Sequence, residues 1–153
     1  MINSLPMIRN WLVLLFALLV ISPVWAESPS LSVSLTTEKS IYRLGETINL
    51  TLVVTNDSDR AFQAVFPSAK RYDFAVYDAD DNLVWRWSAD RGFAQALTPL
   101  EIKPGERAVF TAEWQQQDSQ GGFQVPDGDY TLKGALLYQA GVNNATRKIT
   151  IVE

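Results

Sequence analysis

Residues 47–56 read Thr-Ile-Asn-Leu-Thr-Leu-Val-Val-Thr-Asn, a stretch in which large apolar side chains alternate with polar ones. Successive side chains of an extended chain point to opposite faces, so Ile48, Leu50, Leu52 and Val54 would share one face. Thr and Asn side chains occupy most of the other face. This alternation predicts a β-strand with one buried and one solvated face, which is typical of antiparallel sheets.

The same alternation recurs from residue 31 to the end of the chain. Its apolar positions fall in further runs: Leu31/Val33/Leu35, Phe62/Ala64/Phe66, Tyr72/Phe74/Val76, Leu83/Trp85/Trp87, Ala108/Phe110/Ala112/Trp114, Tyr130/Leu132/Leu136 and Ile149/Ile151. Turn-forming residues separate the runs roughly every ten residues. No segment after residue 27 shows an apolar stripe with helical spacing and caps. We therefore predict an all-β fold, an antiparallel immunoglobulin-like β-sandwich.

Two turns carry more specific signals. Residues 103–106, Lys-Pro-Gly-Glu, predict a type II turn, because Pro presets φ at the second position and Gly tolerates a positive φ at the third. Residues 126–130, Pro-Asp-Gly-Asp-Tyr, place Tyr130 where a strand begins. This is similar to the tyrosine corner of immunoglobulin-like sandwiches, in which the phenol bonds an upstream backbone group. A plain Pro-Gly turn before an aromatic strand residue is the alternative.

The first 26 residues are typical of a secretory signal peptide, which we expect to form a helix preceding the domain. Arg9 precedes an unbroken apolar run at residues 11–21, Pro23 follows the run, and Ala26 supplies a small residue at the predicted cleavage site. Cleavage would leave one domain of residues 27–153, secreted or periplasmic and without membrane contact. An uncleaved anchor is the alternative, since the uncharged stretch before residue 27 is at the lower limit for spanning a bilayer.

The composition excludes several classes of function. The 153-residue chain contains no His and no Cys, which rules out thiol catalysis, disulfides, Cys/His zinc sites and a Ser-His triad. It carries 13 Lys and Arg against 17 Asp and Glu, and its net charge of −4 does not favour binding to nucleic acid or anionic lipid. We expect a non-enzymatic domain without a cofactor or a metal site.

Few of the remaining residues could support chemistry. Asp78, Asp80 and Asp81 could supply oxygen ligands to calcium, but their spacing lacks the pattern of a calcium loop, and a solvated hairpin turn is the preferred interpretation. Ser88 could act as a nucleophile only with a lysine, because no His is present to activate it. A carboxylate pair for glycoside hydrolysis is a further alternative that the sequence leaves open. We predict no catalytic residue.

Three tryptophans could form either a binding platform or part of the core. Exposed in a row, Trp85, Trp87 and Trp114 would stack on sugars. Trp85 and Trp87 share a strand face with Leu83, and the preferred interpretation is that this face is buried. Arg86, which lies between them in the sequence, would then face solvent.

The predicted partner-binding residues lie in a long loop. If every run crosses the sandwich once, the longer loops lie at one end and the short turns at the other. The longer loops are residues 38–46, 67–71, 89–96 and 115–129, and the short turns are residues 56–60, 79–82, 103–106 and 139–144. Binding concentrates in loops on a rigid scaffold, so we predict a site at Arg91, Gly92, Phe93 and Gln95. Phe93 could alternatively fold back and plug the sandwich end. Residues 115–122, rich in Gln and Gly, are predicted to be mobile.

Three segments together resemble the intracellular proteinase inhibitor (BsuPI-type) family. They are Tyr-Asp-Phe-Ala-Val-Tyr-Asp at residues 72–78, Leu-Val-Trp-Arg-Trp-Ser at residues 83–88, and Gly-Phe-Ala-Gln-Ala-Leu at residues 92–97. The Pro-Gly-Glu turn at residues 104–106 and the corner at residues 127–130 fit the same pattern. The resemblance extends over about residues 31–140.

The resemblance implies a small β-sandwich that binds and blocks a serine protease without being an enzyme. The family's namesake acts inside the cell, whereas the predicted signal peptide indicates export. The expected partner is therefore an exported serine protease, inhibited by occlusion with the loop at residues 89–96. The alternative is an immunoglobulin-like structural or interaction module of the cell envelope without inhibitory activity.

Overall fold

The structure, a computed structural model, describes residues 30–120, 122–138 and 141–153. These residues form ten β-strands and no helix, so the all-β prediction is confirmed. The strands are β1 (Leu31–Thr36), β2 (Ile41–Arg43), β3 (Ile48–Asn56), β4 (Phe62–Phe66), β5 (Tyr72–Tyr77), β6 (Leu83–Arg86), β7 (Thr98–Ile102), β8 (Arg107–Trp114), β9 (Gly128–Tyr138) and β10 (Gly141–Val152). The signal peptide predicted at residues 1–26 lies outside the described residues. The part of the chain that is described contains no helix long and apolar enough to cross a membrane.

The strands form two main sheets and one small sheet. One main sheet has three strands in the order β1-β3-β8, and the other has five in the order β2-β10-β9-β5-β6. β4 and β7 pair separately as a two-stranded sheet. Every pairing is antiparallel except that of β2 with β10, which run parallel. The antiparallel prediction therefore fails at this one edge, where the short β2 lies beside the last residues of β10.

The core lies between the two main sheets and is built from the predicted alternating residues. Ile48, Leu50, Leu52 and Val54 of β3 have no solvent exposure. The other main sheet contributes side chains that are equally buried: Phe74, Val76, Leu132 and Leu136. Each such side chain stabilises the fold by about 1.5–3 kcal/mol relative to its exposed state.

Gly134 of β9 marks a close approach between the two main sheets. A Cβ atom at this position would lie 2.9 Å from Cδ1 of Leu52 across the core and 3.3 Å from side-chain carbons of Leu35 and Phe74. Carbon atoms in favourable contact are about 3.5–4.0 Å apart, so a larger residue would displace core side chains. Glycine at this position therefore sets the spacing of the sandwich.

Both specific turn predictions are confirmed. The backbone N of Glu106 donates to the O of Lys103 at 2.9 Å, and Gly105 has a φ of 75°, as a type II turn requires. The hydroxyl of Tyr130 donates to the backbone O of Pro126 at 2.8 Å, which is the bond of a tyrosine corner. Burial raises the pKa of the Tyr130 phenol, so the hydroxyl remains a donor.

Asn56 fixes the corner between the three-stranded sheet and the small sheet. This residue is fully buried, and its Nδ2 donates to the backbone O of Arg60 at 2.7 Å and of Ile102 at 2.8 Å. Its Oδ1 accepts from the N and the Oγ of Ser58. Because the buried amide is fully hydrogen-bonded, it holds β3 and β8 at a defined angle to β4 and β7.

The predicted grouping of the loops is wrong, because β4 and β7 pair with each other and do not cross the main sheets. The turn at residues 79–82 lies beside the start of β9, at the end that holds residues 38–46 and 115–127. Residues 67–71 and 89–96 lie together toward the other end, where backbone atoms of the two segments bond each other. The prediction assumed that every strand crosses the sandwich once, and it therefore placed these two loops at the same end as residues 38–46 and 115–129.

The segment after β8, predicted to be mobile, makes several hydrogen bonds. Gln116 is fully buried, and its Nε2 donates to the backbone O of Arg43 at 2.8 Å and of Glu46 at 2.9 Å. Its Oε1 accepts from the N of Gly45 at 2.9 Å. Asp118 Oδ1 accepts from the backbone N–H groups of residues 120, 122 and 123. In the described part of this segment, these hydrogen bonds give Gln116 and Asp118 defined partners, and mobility stays a prediction.

We expect Gly134→Ala to lower the free energy of unfolding by about 1–3 kcal/mol, because the added methyl group overpacks the core against Leu52. The measurement is urea denaturation followed by tryptophan fluorescence. Gly92→Ala is the matched control, since a Cβ atom there meets nothing within 4 Å. Equal stability of the two variants would contradict the assignment of Gly134 as the spacing residue.

Candidate functional site

The four predicted partner-binding residues lie on one loop between β6 and β7. Arg91, Gly92 and Gln95 are exposed, and Phe93 is half-buried. The guanidinium of Arg91 lies over the ring of Trp87, with Cζ 4.6 Å from the centroid, and Nε of Arg91 donates to the backbone O of Trp87 at 2.9 Å. The Phe93 ring centroid is 5.7 Å from that of Trp87. Phe93 thus folds back, as the alternative interpretation held, and Trp87 supports two of the four residues.

Hydrogen bonds attach this loop to the segment between β4 and β5. The backbone N of Ala69 donates to the O of Ala94 at 2.9 Å. Just after the loop, Oγ1 of Thr98 donates to the backbone O of Ser68 at 2.9 Å. The loop at residues 89–96 is therefore held near its middle and at its end, while most of its side chains remain exposed.

A buried carboxylate connects the start of the loop to the same segment. Oδ2 of Asp73 in β5 accepts from the Oγ of Ser88 at 2.7 Å and lies 2.7 Å from Nζ of Lys70 and 3.4 Å from Nη1 of Arg86. Its Oδ1 accepts from the backbone N of Phe74. We call Lys70, Asp73, Arg86 and Ser88 the Asp73 cluster. It connects β5, β6 and the two loop segments at one point.

The electrostatics of the cluster favour an ionised Asp73. Burial by itself raises the pKa of this carboxyl. The hydrogen bonds from Lys70 and Ser88, together with the positive charges of Lys70 and Arg86, outweigh burial and lower the pKa of Asp73 below its ordinary value. The carboxylate therefore stays charged and bonded across the neutral pH range.

The side chains considered for chemistry form structural hydrogen bonds. Ser88 donates to Asp73, so its hydroxyl is committed to the cluster. Oδ1 of Asp78 accepts from the backbone N of Asp80 and of Asn82, both at 2.9 Å, which supports the hairpin-turn interpretation. The hydrogen bonds from Asn82 lower the pKa of Asp78. Among the described residues, no group of acidic side chains is arranged to hold a metal ion.

The core prediction for Trp85 and Trp87 is only partly right. Both side chains pack against the core but are half-buried, and Leu83 on the same face is 48% exposed. The outer surfaces of the two tryptophans line an open cleft of about 1030 Å³ beside the edge strands β6 and β8. Trp114 is buried at the base of this cleft, with its ring centroid 6.3 Å from that of Trp85. Arg86 points to the other face of the sheet, toward Asp73.

The sequence reasoning missed an exposed apolar residue next to the loop. Leu97 directly precedes β7 and is 72% exposed. Its exposure could have been predicted from the sequence. Leu100 and Ile102 are the inward residues of β7, so an odd-numbered residue next to the strand is expected on the outward side. Leu97 is a large exposed apolar residue two positions after Gln95.

The described residues form a β-sandwich with an exposed loop that is braced on Trp87, at Ala69 and at the Asp73 cluster. Residues 35–141 match the model of the intracellular proteinase inhibitor (BsuPI) family. The chain belongs to this family, which confirms the resemblance seen in the sequence, and its class is that of an inhibitor and not of an enzyme. The comparison with curated proteins gave no significant match.

Several solved structures are similar to this chain at low sequence identity. The CARDB domain of the PF1109 protein from Pyrococcus furiosus is 17% identical, with a TM-score of 0.47, over 82% of this chain and 90% of that domain. The β-glucosidase EmGH1 from Erythrobacter marinus is 20% identical, with a TM-score of 0.49, over 81% of this chain and 16% of the enzyme. A β-glucosidase from Listeria innocua is 14% identical, with a TM-score of 0.48, and the match again covers only 16% of the enzyme. These similarities carry no argument about function.

We expect Asp73→Asn to lower the free energy of unfolding at pH 7 by about 2 kcal/mol, because it removes hydrogen bonds to a buried charge. The folded-state pKa of Asp73 is lowered, so its contribution is complete above the unfolded-state pKa of about 3.9 and is lost as the pH falls through the folded-state pKa. The stability difference between wild type and variant should therefore shrink below about pH 4. Chemical denaturation at several pH values measures it, and a difference independent of pH would contradict this account.

Proposed function

We propose that the protein is an exported inhibitor that binds a serine protease through the loop at residues 89–96 and blocks the enzyme's active-site cleft. The observation that carries this proposal is the support of an exposed loop at three points: on Trp87, at Ala94 and at the Asp73 cluster. Membership in a proteinase inhibitor family supports a protease as the partner.

The bracing of the loop favours tight binding. A loop that is ordered before it binds loses little conformational entropy in the complex, whereas each newly immobilised side chain costs about 0.5–1.5 kcal/mol. The guanidinium of Arg91 is already stacked and hydrogen-bonded to Trp87. The backbone at Ala94 is already bonded to Ala69.

The exposed groups of the loop divide into two roles. Arg91 and Phe93 pack their inner surfaces on Trp87 and hold the loop in shape. Gly92 lacks a side chain, so a partner can approach the backbone closely. Gln95, whose Nε2 donates to the backbone O of Phe93 at 3.3 Å, and the adjoining Leu97 are exposed and would make the side-chain contacts. The proposed contact surface is therefore formed by Gly92, Gln95 and Leu97, with the outer faces of Arg91 and Phe93.

Export is part of the proposal and rests on the sequence of residues 1–26. Arg9, the apolar run at residues 11–21 and Ala26 are the elements of a signal peptide. An exported inhibitor requires an exported target. Mass spectrometry of the protein purified after expression of the full chain should give Glu27 as the first residue, and a retained N-terminus would contradict cleavage.

We expect the purified protein to inhibit at least one member of a panel of secreted trypsin-like, chymotrypsin-like and subtilisin-like proteases. Gln95→Ala and Leu97→Ala should each raise the inhibition constant by about tenfold, because each removes an outward contact without disturbing Trp87. Arg147→Ala, an exposed residue of β10 away from the loop, is the control and should leave inhibition unchanged.

Two results would oppose loop occlusion. Inhibition that persists unchanged in the double variant Gln95→Ala/Leu97→Ala would assign the contact to another surface. Absence of inhibition across the whole panel would favour the alternative, an interaction module of the cell envelope.

A further inference from the structure

The edge strand β8 exposes backbone groups that could pair with another strand. Within the described residues, β8 pairs with β3 on one side and ends its sheet on the other. The backbone N of Asn56 donates to the O of Glu106 at 3.0 Å, and the pairing continues in regular antiparallel register. Bonded pairs alternate in such a ladder, so the even-numbered residues of β8 bond β3. The N–H and C=O groups of Val109, Thr111 and Glu113 therefore point to the open edge.

Most of the features that usually protect a sheet edge are absent from β8. The strand has eight residues, Arg107–Trp114, and contains neither Pro nor Lys. Its register shows no bulge between Arg107 and Trp114, and the five residues at positions 108–112 are uncharged. Val109 on its outer face is 57% exposed. A long and regular edge whose five central residues are uncharged is a template for strand addition.

The other edge strand at the cleft is covered by the chain itself. The backbone N of Ser119 donates to the O of Val84 at 3.1 Å, and the backbone N of Arg86 donates to the Oγ of Ser119 at 2.9 Å. The loop after β8 thus bonds the outward backbone groups of Val84 and Arg86 in β6, whereas the outer edge of β8 has no paired strand among the described residues. On the β6 side of the cleft the backbone groups are already hydrogen-bonded. On the β8 side the backbone offers a row of donors and acceptors.

The cleft fits a peptide better than a sugar. Sugar stacking needs an open aromatic face, but Trp87 has Tyr72 stacked on it at 4.7 Å between centroids and Arg91 over its ring at 4.6 Å. The cleft of about 1030 Å³ instead combines tryptophan edges with polar groups such as Thr111 and Glu113. Thr111 to Trp114 of β8 line this cleft, so a strand added at the usual spacing of about 4.8 Å beside them would enter it.

We propose that this cleft binds an extended peptide segment of a partner protein, which pairs with β8 as an additional strand. Within the cleft, the backbone of the segment bonds the outward N–H and C=O groups of Thr111 and Glu113, and beyond the cleft it can continue along the edge to Val109. Alternate side chains of the segment pack toward Trp85 and Trp87. The walls formed by β6 and the loop after β8 favour a single strand over the flat edge of a second copy of the domain. The cleft borders the start of the inhibitory loop at Ala89, Asp90 and Arg91, but it does not include Gln95 or Leu97 and does not require a protease as the partner.

The test uses the protein purified after expression of the full chain. Panning a linear dodecapeptide display library against it supplies a synthetic peptide probe, and calorimetry measures the affinity. Thr111→Pro removes the outward N–H while leaving the bonds to β3 in place, because proline is tolerated where an edge N–H faces solvent. We expect it to weaken peptide binding by at least about tenfold, whereas Thr111→Ala, which keeps the N–H, should change the affinity by less than about threefold.

A second measurement keeps the proposal testable if Thr111→Pro does not fold. In the wild-type protein, hydrogen exchange of the Thr111 and Glu113 amides should slow when the peptide binds. Unchanged exchange at both amides, equal affinity of the Pro and Ala variants, or failure to select any peptide would overturn the proposal. A dimer in sedimentation that Thr111→Pro dissociates would also overturn it, by assigning the edge to a second copy of the chain.

Discussion

The close contact between Gly134 and Leu52 sets the distance at which the two main sheets pack. With only hydrogen on the Cα of Gly134, Leu52, Leu35 and Phe74 fill the space that a side chain would occupy. Protein cores tolerate neither voids nor overlap of this size, so the alternating residues on both sheets must interdigitate at this spacing. Phe74 of β5 and Gly134 of β9 both take part in this contact, so it links the two neighbouring strands to Leu52 of the opposite sheet.

The proposed contact surface depends on the same sheet. Phe74 points into the core, and its neighbour Asp73 points to the outer face, where it collects Lys70, Arg86 and Ser88. Neighbouring residues of a strand point to opposite faces of the sheet. Because Phe74 points into the core, Asp73 points to the outer face, where it can hold the start of the loop through Ser88. A buried carboxylate with several donors is costly to leave unpaired, and this cost gives the loop a single arrangement.

Much of the fold could be predicted because strand alternation and turn chemistry are local signals. A few neighbouring residues were enough to predict the buried face at Ile48 to Val54, the turn at Gly105 and the corner at Tyr130. Long-range relations could not be predicted in this way. The separate pairing of β4 with β7 is the reason why the predicted loop grouping was wrong. This pairing is joined to β3 at Asn56, whose hydrogen-bond partner Ile102 is 46 residues away. The hydrogen bonds of the Gln-rich segment likewise join Gln116 to residues about 70 positions earlier.

At the candidate site, too, local features could be predicted from the sequence and long-range contacts could not. Arg91, Gly92, Phe93 and Gln95 could be assigned to one loop from sequence, but their support by Trp87 and Ala69 appears only in three dimensions. Trp87 illustrates why a strand pattern alone is insufficient. Its ring stacks on Tyr72, carries the guanidinium of Arg91 and lines the cleft beside β8. A change at Trp87 would therefore disturb the loop and the cleft together, whereas Gln95 and Thr111 each belong to one surface, so these two positions can separate protease contact from peptide pairing.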